Sequence, residues 1–393
     1  MDKKTIKDID VYNKKVLLRV DFNVPVKDGV ITDDNRIKEE LPTIKYLLDN
    51  GASVICMSHL GRPEGEVNLK YTLKPTAVRL GEYLGKEVKF AEDCIGKDAV
   101  KLAKELQPGE VLMLENLRFY AQEEENDEAF CKKLAKLADV YVNDAFGTAH
   151  RKHASTYGVA KLLPNAVGFL IQKELEMIED TINQPKRPLV GILGGAKVSD
   201  KIKIVESLLN KVDTLIVGGA MAYTFLAAQN YSMGKSLVET EMVPEAERLI
   251  KLAEEKNVQL LLPVDHMVTD KFEDGTVIKA TKCPNIPTDM MGMDIGKQTI
   301  KNYKKAIKQA KSVVWNGPMG VFENKNFENG TKSVAKAMAK TKAVTIVGGG
   351  DSAAAVIKFG FAKKMTHVST GGGASLKLFE GKVLPAVDVI ANK

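Results

Sequence analysis

The chain has 393 residues, 44% of them apolar and 27% charged, with a net charge of +6. This is longer than one hydrophobic core usually serves, so two domains of ordinary soluble composition are expected. The modest charge suits a small anionic ligand. A nucleic-acid surface is disfavoured, because there is one Trp and the aromatics sit singly instead of alternating with a basic stripe.

Taken in chain order, strand-like apolar runs fall near residues 16–21, 53–58, 111–115, 139–143, 189–194, 213–218, 259–264, 312–316, 344–348 and 366–370. Segments of helical period lie between them, as in 37–48 and 128–138. Such alternation is the pattern of βαβ units, and ten strands are too many for one doubly wound sheet. The expected fold class is α/β: two doubly wound, Rossmann-like domains, each with a mostly parallel sheet, joined by a helix across a cleft. The expected boundaries are 1–168 for the first domain, 169–184 for a joining helix stopped by Pro185 and Pro188, 185–380 for the second domain, and 381–393 for a tail packing back on the first. The charge-free stretch Thr214–Gly234 is long enough for a membrane span, but Gly218, Gly219, Gln229 and Asn230 make it read as strand, glycine turn and buried helix. The cysteines (Cys56, Cys94, Cys131, Cys283) form no Cys-x-x-Cys pair, and no apolar signal segment follows Met1, so a cytoplasmic protein without structural zinc or disulfides is expected.

The two halves end their strands differently. In the first, Asp21 and Asn23, His59 and Arg62, Arg118, and Arg151 follow successive apolar runs, with Arg36 shortly after the first run. Ligands of an open parallel sheet sit outside the carboxyl ends of its strands, so these groups converge on one rim and suit a multiply charged anion. His150 and His153 have a His-x-x-His spacing, but no further ligand at metal-site spacing accompanies them. Glu123–Glu125 reads as a solvated turn. In the second half the runs end in Gly194-Gly195, Gly218-Gly219, Gly348-Gly349-Gly350 and Gly371-Gly372-Gly373, which suit nucleotide phosphates at helix N-termini. Lys197 and Lys201, four residues apart at an expected helix start, would share one face.

Arg19-Val-Asp-Phe-Asn-Val-Pro, Ser58-His-Leu-Gly-Arg-Pro, Glu115-Asn-Leu-Arg-Phe and Asp144-Ala-Phe-Gly-Thr-Ala-His-Arg closely resemble the phosphoglycerate kinase family, and the second half resembles it in matching order. The resemblance implies that Asp21, Phe22, Asn23, Arg36, His59, Leu60, Gly61, Arg62, Arg118 and Arg151 hold 3-phosphoglycerate or 1,3-bisphosphoglycerate, with Arg36 nearest the transferred group. It implies Lys197 on the transferring phosphoryl and Lys201 on the nucleotide phosphates, Gly292 in a nucleotide-pocket loop at 291–296, and Glu323 on the ribose. Gly349, Gly350, Asp351 and Ser352 would form a loop whose Asp351 holds Mg²⁺ together with ADP or ATP. Gly371, Gly372 and Gly373 would complete the catalytic set with Arg36 and Lys197. A monomer acting on these small molecules, without nucleic-acid or membrane partners, is implied. Two departures from the family pattern are Lys377, where an acid is common, and Ala386, where a glycine is common.

Rival readings have less support. Gly348-Gly-Gly-Asp-Ser-Ala fits a dinucleotide fingerprint, but no acidic residue lies between Asp351 and Glu380 to hold a ribose. The nearest approach to a P-loop, Gly292-Met-Asp-Ile-Gly-Lys-Gln, is one residue short and lacks the hydroxyl. A non-catalytic binding protein of two α/β domains would not need phosphate-neutralising groups on both sides. Phosphoryl transfer between ionised oxygens needs no general base, and none stands out among these motifs.

Overall fold

The computed structural model describes residues 2–272 and 277–393. The chain divides into two compact units, Met1–Glu176 with Val383–Lys393, and Met177–Lys382. The helix Phe169–Asn183 begins in the first and ends in the second.

The first unit contains β1 (Lys15–Arg19), a short hairpin of β2 (Val26–Lys27) and β3 (Val30–Ile31), then β4 (Ser53–Met57), β5 (Val88–Phe90), β6 (Val111–Met113), β7 (Val140–Asn143) and β8 (Asn165–Val167). Its six-stranded sheet has the order β5-β6-β4-β1-β7-β8 and is parallel throughout. Strands β4, β6 and β7 are buried along their whole length, which is why they read as continuous apolar runs rather than alternating ones. From β1 the chain lays strands on one side, then returns to place β7 on the other, with Arg19 in register with Asn143. The β1–β7 edge is therefore the switch point, where an open α/β sheet leaves a crevice for ligand.

Two strands of this sheet go beyond the sequence reading. Val88–Phe90 is a three-residue, half-buried edge. Asn165–Val167 reads as punctuation because of its Asn and the following Gly168, yet it pairs with β7, and the Ile6 N–H donates to the Val167 carbonyl at 3.0 Å. The C-terminal segment packs on this unit: the Lys4 N–H donates to the Ala391 carbonyl at 2.9 Å, and the Ala386 N–H to that of Ala149 at 3.1 Å. Ala386 is fully buried there, in the short helix Pro385–Asp388.

The second unit is built on β9 (Leu189–Leu193), β10 (Thr214–Val217), β11 (Gln259–Leu261), β12 (His266–Thr269), β13 (Ile278–Ala280), β14 (Met291–Ile295), β15 (Ser312–Asn316), β16 (Val344–Gly348) and β17 (His367–Val368). The order β11-β10-β9-β15-β16-β17 is again parallel throughout, and its switch point is β9–β15, where Leu193 registers with Asn316. The single Trp, Trp315, is fully buried at this seam and donates from Nε1 to the Gly317 carbonyl at 2.7 Å. The helix Met221–Ala228 is buried over most of its surface, which accounts for the uncharged stretch after β10. Among the described residues no helix is long and apolar enough to cross a membrane.

A second, antiparallel sheet, β13-β12-β14, is absent from the sequence reading. It corrects the expected pocket loop at 291–296, since Met291–Ile295 is a strand. Gly292 is needed within that strand because a Cβ there would lie 2.3 Å from the Tyr223 hydroxyl.

Candidate functional site

In the first unit the side chains at the β1, β4 and β7 ends gather around His59. Arg19 ends β1, Arg36 lies in the first turn of the helix Asn35–Asp49, Arg118 sits in the 3₁₀ turn Leu117–Phe119, and Arg151 follows the turn after β7. His59 is 4% exposed. Burial first, then the charges of Arg19, Arg118, Arg36 and Arg151, hold its pKa well below the imidazole range. His153 is held down to about 4, by burial and then by Arg118, Arg19 and Arg151. Four guanidinium groups thus act on one neutral imidazole.

Their fixed partners are few. Arg36 pairs with Asp21 at 2.5 Å; Arg118 donates to the Gly61 carbonyl at 3.0 Å and lies 3.3 Å from Glu124. Arg118 Nε and His153 Nδ1 are buried with no hydrogen-bond partner. Buried polar groups are normally satisfied, so orphans within a cationic cluster mark a place where an anion completes the bonding.

Other residues implied by the resemblance hold this rim in shape. Phe22 lies in the core, with its N–H donating to Ser58 Oγ at 2.9 Å. Leu60 is buried and donates its N–H to Asn116 Oδ1 at 3.2 Å. Asn23 Oδ1 accepts from the Gly61 N–H at 2.9 Å, and Gly61 has φ +62° with the Tyr71 ring 2.4 Å from where a Cβ would stand. Arg62 is exposed on the turn that follows.

Three buried carboxyls near the cluster had no role in the sequence reading. Glu40, one helical turn beyond Arg36, is fully buried and accepts the Asp21 N–H at 3.2 Å. Asp144 accepts from the Thr43 hydroxyl and, at 2.9 Å, from the Ile171 N–H at the start of the helix Phe169–Asn183. Burial raises both pKa values, and the charge of Asp144 raises that of Glu40 further, whereas the interaction with Glu40 opposes the shift at Asp144. Glu123 corrects the expected solvated turn at 123–125: it is fully buried in the helix Gln122–Glu125. A run of three acids carries no sign of which one turns inward. Arg19 did leave a signal, a cation closing an apolar run.

In the second unit the glycine pairs divide into two kinds. A Cβ on Gly194 would lie 2.0 Å from the Pro318 carbonyl, one on Gly317 (φ +94°) 2.2 Å from that of Gly194, and one on Gly219 (φ +67°) 2.5 Å from the Gly195 nitrogen. The N–H groups of Gly194, Gly195 and Gly219 donate to the carbonyls of Asn316, Pro318 and Met319. These turns join strand ends to each other, and their amides are already used. By contrast, Gly350 opens the helix Gly350–Lys358 with open space where its Cβ would stand, and a Cβ on Gly372, which opens the helix Gly372–Phe379, would be 3.3 Å from the Gly350 nitrogen. Two helix N-termini therefore lie side by side, and a helix leaves its first N–H groups for an outside acceptor. Gly371 is partly excluded from that role because its N–H donates to Ser369 Oγ at 3.2 Å. Gly349 (φ +92°) packs on Asn316, and the buried Ser352 hydroxyl accepts the Gly317 N–H at 2.6 Å.

Lys201 reaches Asn316 Oδ1 at the β15 end; burial lowers its pKa, while the charges of Asp351 and Asp200 oppose the shift. The helix behind it begins at Ile202, so Lys197 and Lys201 do not share a helical face as their spacing implied. Lys197 is exposed in the preceding loop, which Glu239 ties down by accepting from the Val198 and Ser199 N–H groups. The loop forms because Gly195 interrupts the chain and Val198 turns into the core. Asp351 is exposed in the first turn of its helix. Among the described residues no three His, Cys, Asp or Glu cluster as a metal site. A lone carboxylate fits Mg²⁺ that arrives on nucleotide phosphates, since that ion is commonly held by one or two carboxylates and the phosphates themselves. On the same unit, a cleft of about 620 Å³ is lined by Phe272, Met293, Val321, Glu323 and Phe327. Lys377, the departing residue of the helix Gly372–Phe379, pairs with Glu380 at 3.2 Å.

The family model described as phosphoglycerate kinase matches residues 6–382. A phosphoglycerate kinase of Clostridium perfringens (strain 13 / Type A) is 56% identical over 395 residues, covering 100% of this chain and 99% of the relative. One from Finegoldia magna is 53% identical, with 100% of both chains covered. Among solved structures, phosphoglycerate kinase from Coxiella burnetii superposes with a TM-score of 0.91 at 43% identity, and that from Pyrococcus horikoshii OT3 with 0.84 at 38%, each covering 98% of both chains. With an arginine-ringed imidazole on one unit, paired helix N-termini on the other, and a family match along nearly its whole length, the chain belongs to the phosphoglycerate kinase family.

Proposed function

We propose that this protein catalyses reversible phosphoryl transfer from 1,3-bisphosphoglycerate to ADP, giving 3-phosphoglycerate and ATP in glycolysis. Family membership over residues 6–382 supports the reaction. The observation that carries the substrate placement is the convergence of Arg19, Arg36, Arg118 and Arg151 on the neutral, buried His59. That cluster, with Asp21 and Asn23 shaping its rim, receives the phosphoglycerate. Lys201, Asp351 and the amides at Gly350, Gly372 and Gly373 receive the nucleotide phosphates, and the cleft beside Glu323 receives the nucleoside.

Charge neutralisation supplies the catalysis. The acceptor oxygens on ADP and on 3-phosphoglycerate are ionised at neutral pH, so no side chain has to take a proton. Arg36, Lys197 and the helix start at Gly372 stabilise the three equatorial oxygens of the transferring group. Mg²⁺ bound with the nucleotide and held by Asp351 would offset phosphate charge. Reacting atoms must come within about 3–3.5 Å, so the reading includes closure of the units around the helix Phe169–Asn183, which also keeps water from the acyl phosphate. A monomer acting in the cytoplasm belongs to the same reading and rests on the family resemblance.

The test is an initial-rate assay with ATP and 3-phosphoglycerate, coupled to NADH oxidation. Turnover that needs both substrates and stops with EDTA is expected; ATP hydrolysis independent of 3-phosphoglycerate would reject the reading.

A further inference from the structure

Glu123 is the one acid of its run that the fold buries completely. Both of its oxygens are taken by a single residue: the Ser155 N–H donates at 2.9 Å and the Ser155 hydroxyl at 2.5 Å. The same hydroxyl oxygen accepts from Arg19 Nε at 2.7 Å. Arg19 Nη2 lies 3.2 Å from His59 Nδ1. The Tyr141 hydroxyl fixes the Ser155 backbone by donating to its carbonyl at 2.7 Å. All five residues are buried.

The direction of this chain of bonds follows from the chemistry of its members. A guanidinium has donors only, so His59 Nδ1 must accept, and a neutral imidazole that accepts at Nδ1 carries its proton on Nε2. A carboxylate accepts only, so the Ser155 hydroxyl donates its hydrogen bond to Glu123 and keeps its lone pairs for Arg19. The Arg19 guanidinium thereby decides which nitrogen of His59 bears hydrogen, and Glu123 and Ser155 hold that guanidinium in the orientation that meets Nδ1.

We propose that Glu123, acting through Ser155 and Arg19, is a positioning residue that locks His59 as the Nε2–H tautomer, so that this ring meets a bound anion with an N–H donor instead of a lone pair. The proposal rests on the placement of phosphoglycerate beside His59. An acceptor nitrogen there would repel an anionic oxygen, whereas a donor adds a bond that needs no positive charge on the ring. Burial raises the Glu123 pKa, and Arg19 followed by the two Ser155 hydrogen bonds opposes that shift, so the facing charges limit the cost of holding each other out of water.

Two-bond ¹H–¹⁵N correlation spectra of the ¹⁵N-labelled full chain, with His59 assigned by His59→Gln, read the tautomer directly. The expected wild-type spectrum shows His59 protonated on Nε2 near pH 7. Glu123→Gln and, should that variant fold poorly, Ser155→Ala are expected to mix the tautomers and raise the KM for 3-phosphoglycerate about tenfold while leaving the KM for ATP unchanged. A wild-type ring protonated on Nδ1 overturns the proposal. So do variants that keep the wild-type tautomer and KM and lose only melting temperature, which is the signature of a purely structural role. A tautomer that shifts as expected with no change in that KM keeps the relay and overturns the placement of the substrate at His59.

Discussion

The first unit offers charged side chains at its strand ends, and the second offers backbone. Around His59 the cations come from four separate segments, and three of the four guanidiniums have an acceptor against them: Asp21 for Arg36, Glu124 for Arg118, Ser155 and Glu123 for Arg19. In the second unit most glycines are spent on bringing strand ends into backbone contact, and only the starts of two helices leave amides facing out. A site made of long cationic side chains therefore depends on acceptor side chains set against them. A site made of amides depends on how closely the backbone can pack.

The largest effect expected from breaking this contrast is in the first unit. Arg36→Ala should lower kcat by about 10³-fold, the scale seen when a cation on a transferring phosphoryl is lost. Steady-state kinetics in either direction check it, and near-normal kcat would remove Arg36 from the mechanism. Next is the fold of the second unit. Gly317→Ala should destabilise it by about 3 kcal/mol or more, because φ is +94° and a Cβ would stand 2.2 Å from the Gly194 carbonyl. Trp315 fluorescence during urea unfolding reads this unit alone, since it is the only Trp and lies in the affected seam. An unshifted midpoint would mean that the strand-end packing relaxes freely.

A smaller effect depends on pH. Burial raises the Asp144 pKa above its unfolded value. The protonated form is thus favoured by folding, and the associated stability is complete at low pH and lost as pH rises through the folded pKa. Asp144→Asn should remove that loss, so its stability relative to wild type should improve by about 1–3 kcal/mol between pH 4 and pH 7. Urea titrations followed by circular dichroism at the two pH values test the sign; parallel curves would show that Asp144 takes up no proton on folding. The smallest effect sharpens the contrast from the other side. Gly350→Ala places its methyl in open space, so stability should change by less than about 0.5 kcal/mol while the KM for ATP rises. A large shift in the Trp315 midpoint would show Gly350 to be a packing glycine like Gly317.

Much of this was legible in the chain itself. The parallel strands announced themselves because they are buried on both faces and read as unbroken apolar runs, and Arg36, His59, Arg118 and Arg151 stood at or just beyond such runs. The edge strands β5 and β8 did not, being short and half-covered, and β14 was disguised by Gly292. Lys197 and Lys201 have helical spacing without a helix, because Gly195 and the inward-turning Val198 make a loop of that segment.

By itself the sequence determined the local choices: strand or helix, turn or run, cation or glycine at a strand end. These are set by burial periodicity and by residues with few backbone options, and both can be read within a few positions. Only the tertiary structure decided which of Glu123, Glu124 and Glu125 turns inward, which glycine amides remain free, and which nitrogen of His59 is protonated. Each of those depends on a partner distant along the chain, such as Ser155 for Glu123 or Pro318 for Gly195, and no local pattern carries the identity of a neighbour that folding alone brings within bonding distance.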